Sequence, residues 1–210
     1  GGRGPMVDPG EYTVAIAVAG KTESKTVTVE EDPRVSMSAE DRSKRRQALT
    51  KLYGLSKDAD GGRRKIVALQ TSLTTLTDGW KRPGAPKVPD DVKKSADGLL
   101  AKVKEVVGVF ESQRGGQLGG AGPPLTYTPP PVNQKIGRLM GAIDGYSGAP
   151  TDRQLADIDQ TLAELEPALA VVKKLTDEDL PRLNKMMADA GVPYITADTA
   201  PAAPQGRRGR

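Results

Sequence analysis

The sequence predicts a mainly α protein, in which an N-terminal β-hairpin remnant precedes an elongated up-down helical bundle of about four helices. Two observations lead to this fold class. Apolar residues recur at alternating spacings of three and four in four separate segments, which places them on one stripe of a helix. Near the N-terminus the apolar spacing changes to two, which is the period of a β-strand.

The hairpin is predicted over residues 9–30. Alternation over residues 12–18 indicates the first strand, Ala19-Gly20-Lys21 the turn, and residues 26–29 the return strand. A lone hairpin is only marginally stable in water. We therefore expect this one to complete a sheet, as the remnant of an Ig-like sandwich whose other strands are missing from the chain.

The first helix is predicted to begin at a capping box, Ser38-Ala39-Glu40-Asp41, in which a hydroxyl residue is followed by an acid three positions later. Its apolar seam runs from Leu49 to Trp80. Gly61-Gly62 interrupts this seam at a cost of about 2 kcal/mol relative to two alanines. Because the apolar register continues beyond the two glycines, the pattern favours one weakened helix over two unrelated ones.

The second helix is predicted to start near Pro89, with Asp90 and Asp91 complementing the positive end of the helix dipole, and to end near Gln113. Residues 114–131 are rich in glycine and proline, which is typical of a flexible or extended loop. The stripe of the second helix consists of six residues: Val92, Ala96, Leu99, Val103, Val106 and Phe110.

The third and fourth helices follow this loop. Thr151-Asp152-Arg153-Gln154 is a second capping box, and the helix that it opens is expected to reach about Ala190 before a stop at Gly191 and Pro193. Pro167 and Pro181 lie within this helix and lead us to expect a kink or break, near Thr176-Asp177. The stripe of the third helix is Val132, Ile136, Leu139, Ile143 and Tyr146, and that of the fourth is Leu155, Ile158, Leu162, Leu165, Leu169 and Val172.

Composition excludes several classes of function. The 210 residues include no cysteine and no histidine, so disulfides, thiolate zinc sites and Ser-His-Asp triads are excluded within the chain. No EF-hand spacing is present either. We therefore predict no catalytic residue, no metal site and no cofactor, and a protein that is not an enzyme.

The partners are predicted to be proteins. The net charge of +4 is mixed along the helices, and only seven residues are aromatic, which argues against single-stranded nucleic-acid binding. No apolar run approaches the roughly 20 residues that span a bilayer, and no signal peptide is recognisable. The opening Gly1–Pro5, with the first methionine at Met6, leads us to expect a piece of a longer protein.

Short motifs along the chain resemble one protein family. The stretch from Gly4-Pro5 to Val14 looks like the end of an Ig-like sandwich, and a helical region follows it. Together these resemble the C-terminal region of bacterial BNR-repeat, sortilin-like propeller proteins, which are often labelled glycosyl hydrolases. The motifs that carry the resemblance are Asp32-Pro33-Arg34-Val35, Asp179-Leu180-Pro181, Leu183-Asn184 and Ala190-Gly191-Val192-Pro193.

The resemblance implies an exported parent protein with N-terminal propellers that are absent here. Sialidase-like catalytic residues of such a parent would lie in the propellers, so none is carried over to this chain. Propellers host many functions, and the hydrolase label is an analogy. Other members of the wider propeller group are photosystem assembly factors, which points to membrane complexes.

Five residues are predicted to bind a partner: Trp80, Tyr127, Tyr12, Arg207 and Arg208. Trp80 is either an interface anchor or a cap on the bundle core. Tyr127 lies in a Pro-rich segment that either docks in an aromatic groove or is a simple loop. Tyr12 belongs to the hairpin, whose edge can accept a strand. Arg207 and Arg208 either contact the partner or form a plain soluble tail.

Two further patterns have a structural and a functional interpretation. The acidic cluster Asp177, Glu178 and Asp179 is either half of a carboxylate pair for glycoside hydrolysis or first-turn charge where a helix restarts. We favour the second role, since no second carboxylate or sugar-binding groove is recognisable. Gly115-Gly116 and Gly119-Gly120 lack the GK[ST] ending of a phosphate loop, which favours a linker.

These observations lead to two hypotheses of function. The first is a non-catalytic structural subunit that braces a larger assembly, on the periplasmic face of a bacterial photosynthetic or respiratory membrane complex. The alternative is an accessory C-terminal domain of a secreted, propeller-containing glycosyl hydrolase-like protein. The predicted domains are the hairpin over 1–34, the bundle over 35–192, and an extended or disordered tail over 193–210.

Overall fold

The computed structural model describes residues 7–111 and 129–195. It confirms a mainly α fold with an N-terminal hairpin and a helical bundle. The chain divides into two compact units, the first formed by residues up to Gly54 with Arg138–Ile158, the second by Leu55–Gly137 with residues from Asp159 onward. The elements are β1 Gly10–Val18, β2 Lys21–Val29, α1 Ala39–Gly79, α2 Asp90–Phe110, α3 Val132–Asp144, α4 Asp152–Lys174 and α5 Leu180–Asp189.

The hairpin occupies the predicted residues, but both of its strands are longer than their sequence patterns indicate. β1 and β2 pair antiparallel from Gly10 opposite Val29 to Val18 opposite Lys21. Ala19 and Gly20 form the two-residue turn, with φ of 50° and 78°, which is the type I′ geometry that matches strand twist. The return strand therefore begins at Lys21, not at Thr26, because pairing with β1 draws the polar residues 21–25 into the ladder.

Helix α1 is continuous over 41 residues. At its start the Ser38 hydroxyl accepts a hydrogen bond of 3.0 Å from the Asp41 backbone N–H, as the capping box predicts. The two glycines do not break the helix, which confirms the single-helix interpretation. Gly62 is itself buried, and it completes a seam of alternating spacings: Leu52, Leu55, Ala59, Gly62, Ile66, Leu69 and Leu73.

Side chains of two other helices approach α1 closely at Gly62. A Cβ atom at this position would lie 2.5 Å from Leu169 Cδ2 of α4 and 3.2 Å from Phe110 Cζ of α2. The adjacent Gly61 has no atom within 4 Å of the same position. The missing side chain at Gly62 thus provides the space that Phe110 and Leu169 fill in the second unit.

The remaining helices confirm most of the predicted stripes, with two corrections. All six predicted stripe residues of α2 are buried. Tyr146 is 67% exposed, because α3 ends at Asp144 before the chain reaches it. In α4 Leu155 is exposed, and the buried stripe keeps Ile158, Leu165 and Val172 of the prediction but has Thr161 and Ala168 in place of the half-buried Leu162 and Leu169. That stripe is Ile158, Thr161, Leu165, Ala168, Val172 and Leu175.

The predicted irregularity near Thr176-Asp177 is a turn of π-helix, Leu175–Asp179, between α4 and α5. The Leu180 N–H donates to the Leu175 carbonyl five residues earlier. Pro181 follows, and since proline has no N–H and its ring clashes with the carbonyl four residues back, the wider π turn accommodates it. The helical path continues from α4 to α5 without a loop.

The stop after α5 has the predicted form. Gly191 has a φ of +66°, and the Val192 N–H donates to the Met187 carbonyl at 3.0 Å, which is the bonding pattern of a Schellman cap. The Asn184 amide then donates to the Ile195 carbonyl at 2.7 Å and accepts from the Ile195 N–H at 3.2 Å. This side chain fastens the segment that follows α5.

The two adjacent glycines of α1 should respond in opposite ways to alanine. We expect Gly61→Ala to stabilise the protein by about 1 kcal/mol, because alanine favours the helix and meets no neighbouring atom. We expect Gly62→Ala to be less stable than Gly61→Ala by about 1–3 kcal/mol, because its methyl group displaces Leu169 and Phe110. Urea unfolding followed by circular dichroism measures both, and equal stabilisation by the two substitutions would contradict the close approach.

Candidate protein-interaction surface

The hairpin presents an apolar face to solvent. Residues directly opposite each other in an antiparallel pair share a face of the sheet. Tyr12 is opposite Val27 and Val18 is opposite Lys21, so this face carries the even-numbered residues of β1 and their partners in β2. Its aliphatic side chains keep much of their surface accessible: Val14 50%, Ile16 64%, Val18 67% and Val27 39%. We call this set, with Tyr12, the hairpin face.

Charged side chains border the hairpin face on one side. Lys25, Glu23 and Lys21 of β2 stand opposite Val14, Ile16 and Val18 of β1. The other face of the hairpin carries alanine, serine, threonine and Glu11. A patch of β-branched side chains with a charged rim is the composition of a protein-binding surface.

Two arginines of α1 hold the base of the hairpin. Arg42 pairs with Glu31, which follows β2, at 2.6 Å, and Arg46 pairs with Asp8, which precedes β1. The Tyr12 hydroxyl donates to the Asp8 carbonyl at 2.7 Å. The hairpin is therefore held at its open end, next to the start of β1 and the end of β2. Its turn and its apolar face remain exposed.

A third arginine extends this cluster to the end of α3. Arg45 donates to the Ile143 carbonyl at 3.1 Å and to the Asp144 carbonyl at 2.8 Å. These carbonyls lie in the last turn of the helix, where no backbone N–H of the same helix is available for them. The first turns of α1 thus bind both the hairpin and α3 within the first unit.

The five predicted partner-binding residues have different outcomes. Tyr12 is half-buried in β1, and its hydroxyl is engaged with Asp8. Trp80 is half-buried just after α1, and its backbone N–H bonds to the Leu76 carbonyl at 3.2 Å. Tyr127, Arg207 and Arg208 lie outside the described residues, as do the glycine pairs of the 114–128 segment. None of the five roles is tested by these positions, and they stay predictions.

The acidic cluster at the π turn is engaged in ion pairs. Asp177 accepts hydrogen bonds from the Lys173 ammonium and the Thr176 hydroxyl, and these interactions lower the pKa of Asp177. Asp179, whose side chain is only 14% exposed, pairs with Lys102 of α2 at 3.6 Å. This arrangement favours the structural role of the cluster over a hydrolytic one.

Residues 7–111 and 129–195 contain neither a metal-ligand cluster nor a membrane-spanning helix. In that part of the chain no three acidic side chains are grouped in a way that would hold a metal ion. None of the helices described is long and apolar enough to cross a bilayer.

Sequence reasoning recognised the strands but missed how exposed their apolar side chains are. Alternation predicts one buried face, and the hairpin face has the right residues for burial. The signal that it is exposed was the lack of further strand patterns in the chain. The arginines that hold the hairpin gave no sequence signal. A turn separates Glu31 from Arg42, and hydrophobic periodicity does not predict the path of the chain through that turn.

Neutralising the two hairpin-fastening arginines should loosen the hairpin. We expect the double variant Arg42→Gln/Arg46→Gln to increase amide exchange in β1 and β2 by about fivefold, because exposed ion pairs contribute up to about 1 kcal/mol. Hydrogen exchange read by mass spectrometry measures this. Lys44→Gln is the matched control, since Lys44 pairs with Glu40 of its own helix. Equal exchange in the two variants would show that the ion pairs do not hold the hairpin.

Acid should remove the contribution of Asp177. The pKa of Asp177 in the folded state lies below the ordinary value of an aspartate, so its stabilisation is full above that ordinary value and is lost as pH falls through the folded pKa. We expect Asp177→Asn to lower Tm at pH 7 but to match the parent protein once the folded carboxylate is protonated. In a Lys173→Met background the difference at pH 7 should shrink. A pH-independent difference would contradict this origin.

Comparison of the chain with protein-family models, with curated proteins and with solved structures finds no match. The resemblance to BNR-repeat, sortilin-like proteins therefore stays a prediction.

Proposed function

We propose that this chain is a non-catalytic structural subunit that braces a larger protein assembly, with the hairpin face as its docking surface. The observation that carries the proposal is that the hairpin is fixed at its base and yet exposes an apolar face. Its base is fastened to α1 by Arg42 and Arg46, while the hairpin face exposes four aliphatic side chains to solvent. An apolar surface held in place by its own scaffold is typical of an interaction site.

The chemistry of the hairpin face favours a β-sheet as the docking partner. Val14, Ile16 and Val18 project from alternate positions of one strand, so they would interdigitate with a second pleated layer placed about 10 Å away. The lysines and the glutamate of β2 would form the polar rim of that contact. A partner of this kind would present an apolar sheet face whose border has carboxylates opposite Lys21 and Lys25 and a basic or neutral group opposite Glu23.

Two observations support a non-catalytic role. The chain has neither histidine nor cysteine, the commonest general base and the strongest nucleophile. Two of the three carboxylates that were candidates for glycoside hydrolysis are engaged in ion pairs, Asp177 with Lys173 and Asp179 with Lys102.

The setting of the assembly rests on the sequence resemblance alone. Membership of an exported propeller family would place the subunit outside the cytoplasm, and the link of related propellers to photosystems favours the periplasmic face of a photosynthetic or respiratory complex. The second candidate is an accessory domain of a propeller-containing hydrolase-like protein. The observation that favours it is the open hairpin face, which is what one layer of an incomplete sandwich would show.

Photo-crosslinking from single positions in the producing cells tests the docking surface. We expect a photoreactive residue in place of Ile16 to label a defined protein subunit, because Ile16 lies at the centre of the hairpin face. The matched control replaces Thr22, which is also exposed but lies on the other face of the hairpin.

The identity of the labelled protein separates the two candidates. Labelling of a membrane-complex subunit from position 16 alone supports the structural subunit. A crosslink from position 16 to the propeller part of the same parent polypeptide supports the accessory domain. Equal labelling from positions 16 and 22, or a crosslink neither to another protein nor to such a propeller, would overturn the docking role of the face.

A further inference from the structure

The outer edge of β1 has free hydrogen-bonding groups. Val18 and Lys21 close the two-residue turn, and in such a turn the first carbonyl accepts from the last N–H. Hydrogen-bonded pairs then alternate along the ladder, so the even-numbered residues of β1 bond to β2. The backbone groups of Glu11, Thr13, Ala15 and Ala17 point away from β2, and within the described residues β1 pairs with no other strand.

The two edges of the hairpin differ in charge. β2 carries Lys21, Glu23 and Lys25 along its length, and lysine on an edge strand discourages pairing with another strand. β1 carries no charge from Tyr12 to Val18, and its only charged residue is Glu11 near its start. The edge of β1 is therefore the one that is open to strand addition.

The residues of β1 are complementary to those of a second β1 running antiparallel. If Val14 lies opposite Val14 of the second copy, Tyr12 lies opposite Ile16, which is a favourable aromatic–aliphatic pair. Thr13 then bonds with Ala15, and Glu11 lies opposite Ala17, so no like charges meet. The equivalent pairing of β2 with itself places Lys25 opposite Lys25, which is repulsive.

We propose that β1 pairs antiparallel with β1 of a second copy of this chain, centred on Val14, to form a four-stranded sheet. The strand order is β2, β1, β1 of the second copy, and its β2. Because this arrangement is two-fold symmetric and leaves lysine-bearing strands at both outer edges, it closes as a dimer and does not extend into a fibre. This inference uses the strand edge and does not depend on the proposed docking of the hairpin face.

Single cysteines report this register, because the chain has none of its own. Two Val14 residues across the axis would form a non-hydrogen-bonded pair with Cα atoms about 4.5 Å apart, within the range of a disulfide. Two Ile16 residues would be four positions out of register, about 13 Å apart. Ile16→Cys is the matched control, since Ile16 is exposed on the same face.

We expect Val14→Cys to form an intermolecular disulfide at least about tenfold faster than Ile16→Cys in a glutathione buffer, as read by non-reducing electrophoresis. Equal rates for the two variants would overturn the register. Lys25→Cys tests the opposite edge, and cross-linking from position 25 as fast as from position 14 would overturn the choice of β1.

Proline variants test the edge without cysteine chemistry. Ala15→Pro removes an N–H that points away from β2, so the hairpin keeps its ladder while the dimer contact is lost. Ser24→Pro makes the same change directly opposite, on the outer edge of β2, and should leave the dimer intact. Circular dichroism checks that both variants fold.

Sedimentation equilibrium of the whole chain gives the outcome. We expect twice the monomer mass of 22.2 kDa for the parent protein and for Ser24→Pro, and the monomer mass for Ala15→Pro. A parent protein that stays monomeric up to millimolar concentration, or a dimer that survives Ala15→Pro, would overturn the proposal. Neither result affects the photo-crosslinking test of the hairpin face, because that test is read from labelling of a different protein.

Discussion

The close approach at Gly62 is the constraint on which the second unit depends. All other members of the α1 seam between Leu52 and Leu73 bring a side chain to the core. At Gly62 the seam has no side chain. Phe110, the last residue of α2, and Leu169 of α4 fill the space instead. The glycine weakens the helix locally by about 1 kcal/mol, and the aromatic ring that it admits is buried to 1% exposure, which offsets that cost.

Polar contacts contribute more to the organisation of the first unit than to that of the second. A hairpin of two strands has no interior, and its side chains are exposed along nearly the whole of β1 and β2. Its position is instead set by charge-assisted hydrogen bonds from the start of α1 to residues just outside the strands. Fastening a hairpin in this way leaves its apolar face unused by the fold, and the same arginine cluster bonds the last carbonyls of α3. The arginine contacts at the base thus both fix the position of the hairpin and leave its apolar face exposed.

Periodicity predicted the helices well, because a stripe of spacing three and four that continues over about 15 residues indicates a helix and not a strand. The caps were also predictable, since the reciprocal bonds of Thr151 and Gln154 involve residues three apart. What periodicity does not specify is the neighbour. It therefore included Leu155, Leu162 and Leu169 in the α4 stripe, of which the first is exposed and the others are half-buried, and it included Tyr146 beyond the end of α3. For the same reason Gly62 was interpreted as an interruption of the helix, although the absence of a side chain there allows α1 to contact two other helices.

The candidate surface was only partly predictable. The strands followed from the alternation of apolar residues, but the exposure of their side chains depends on the whole fold.

The two proposals for the hairpin concern different atoms of the same strand. In β1 the side chains of the even-numbered residues form the hairpin face, while the backbone groups of the odd-numbered residues form the open edge. Pairing along the edge would bring the even-numbered side chains of two strands together on one side of the sheet, because opposite residues share a face. The apolar area would then be doubled and the charged rim moved to its outer borders. A dimer formed at the edge would therefore strengthen the face as a docking surface, and the pattern of lysines confined to β2 is compatible with both contacts at once.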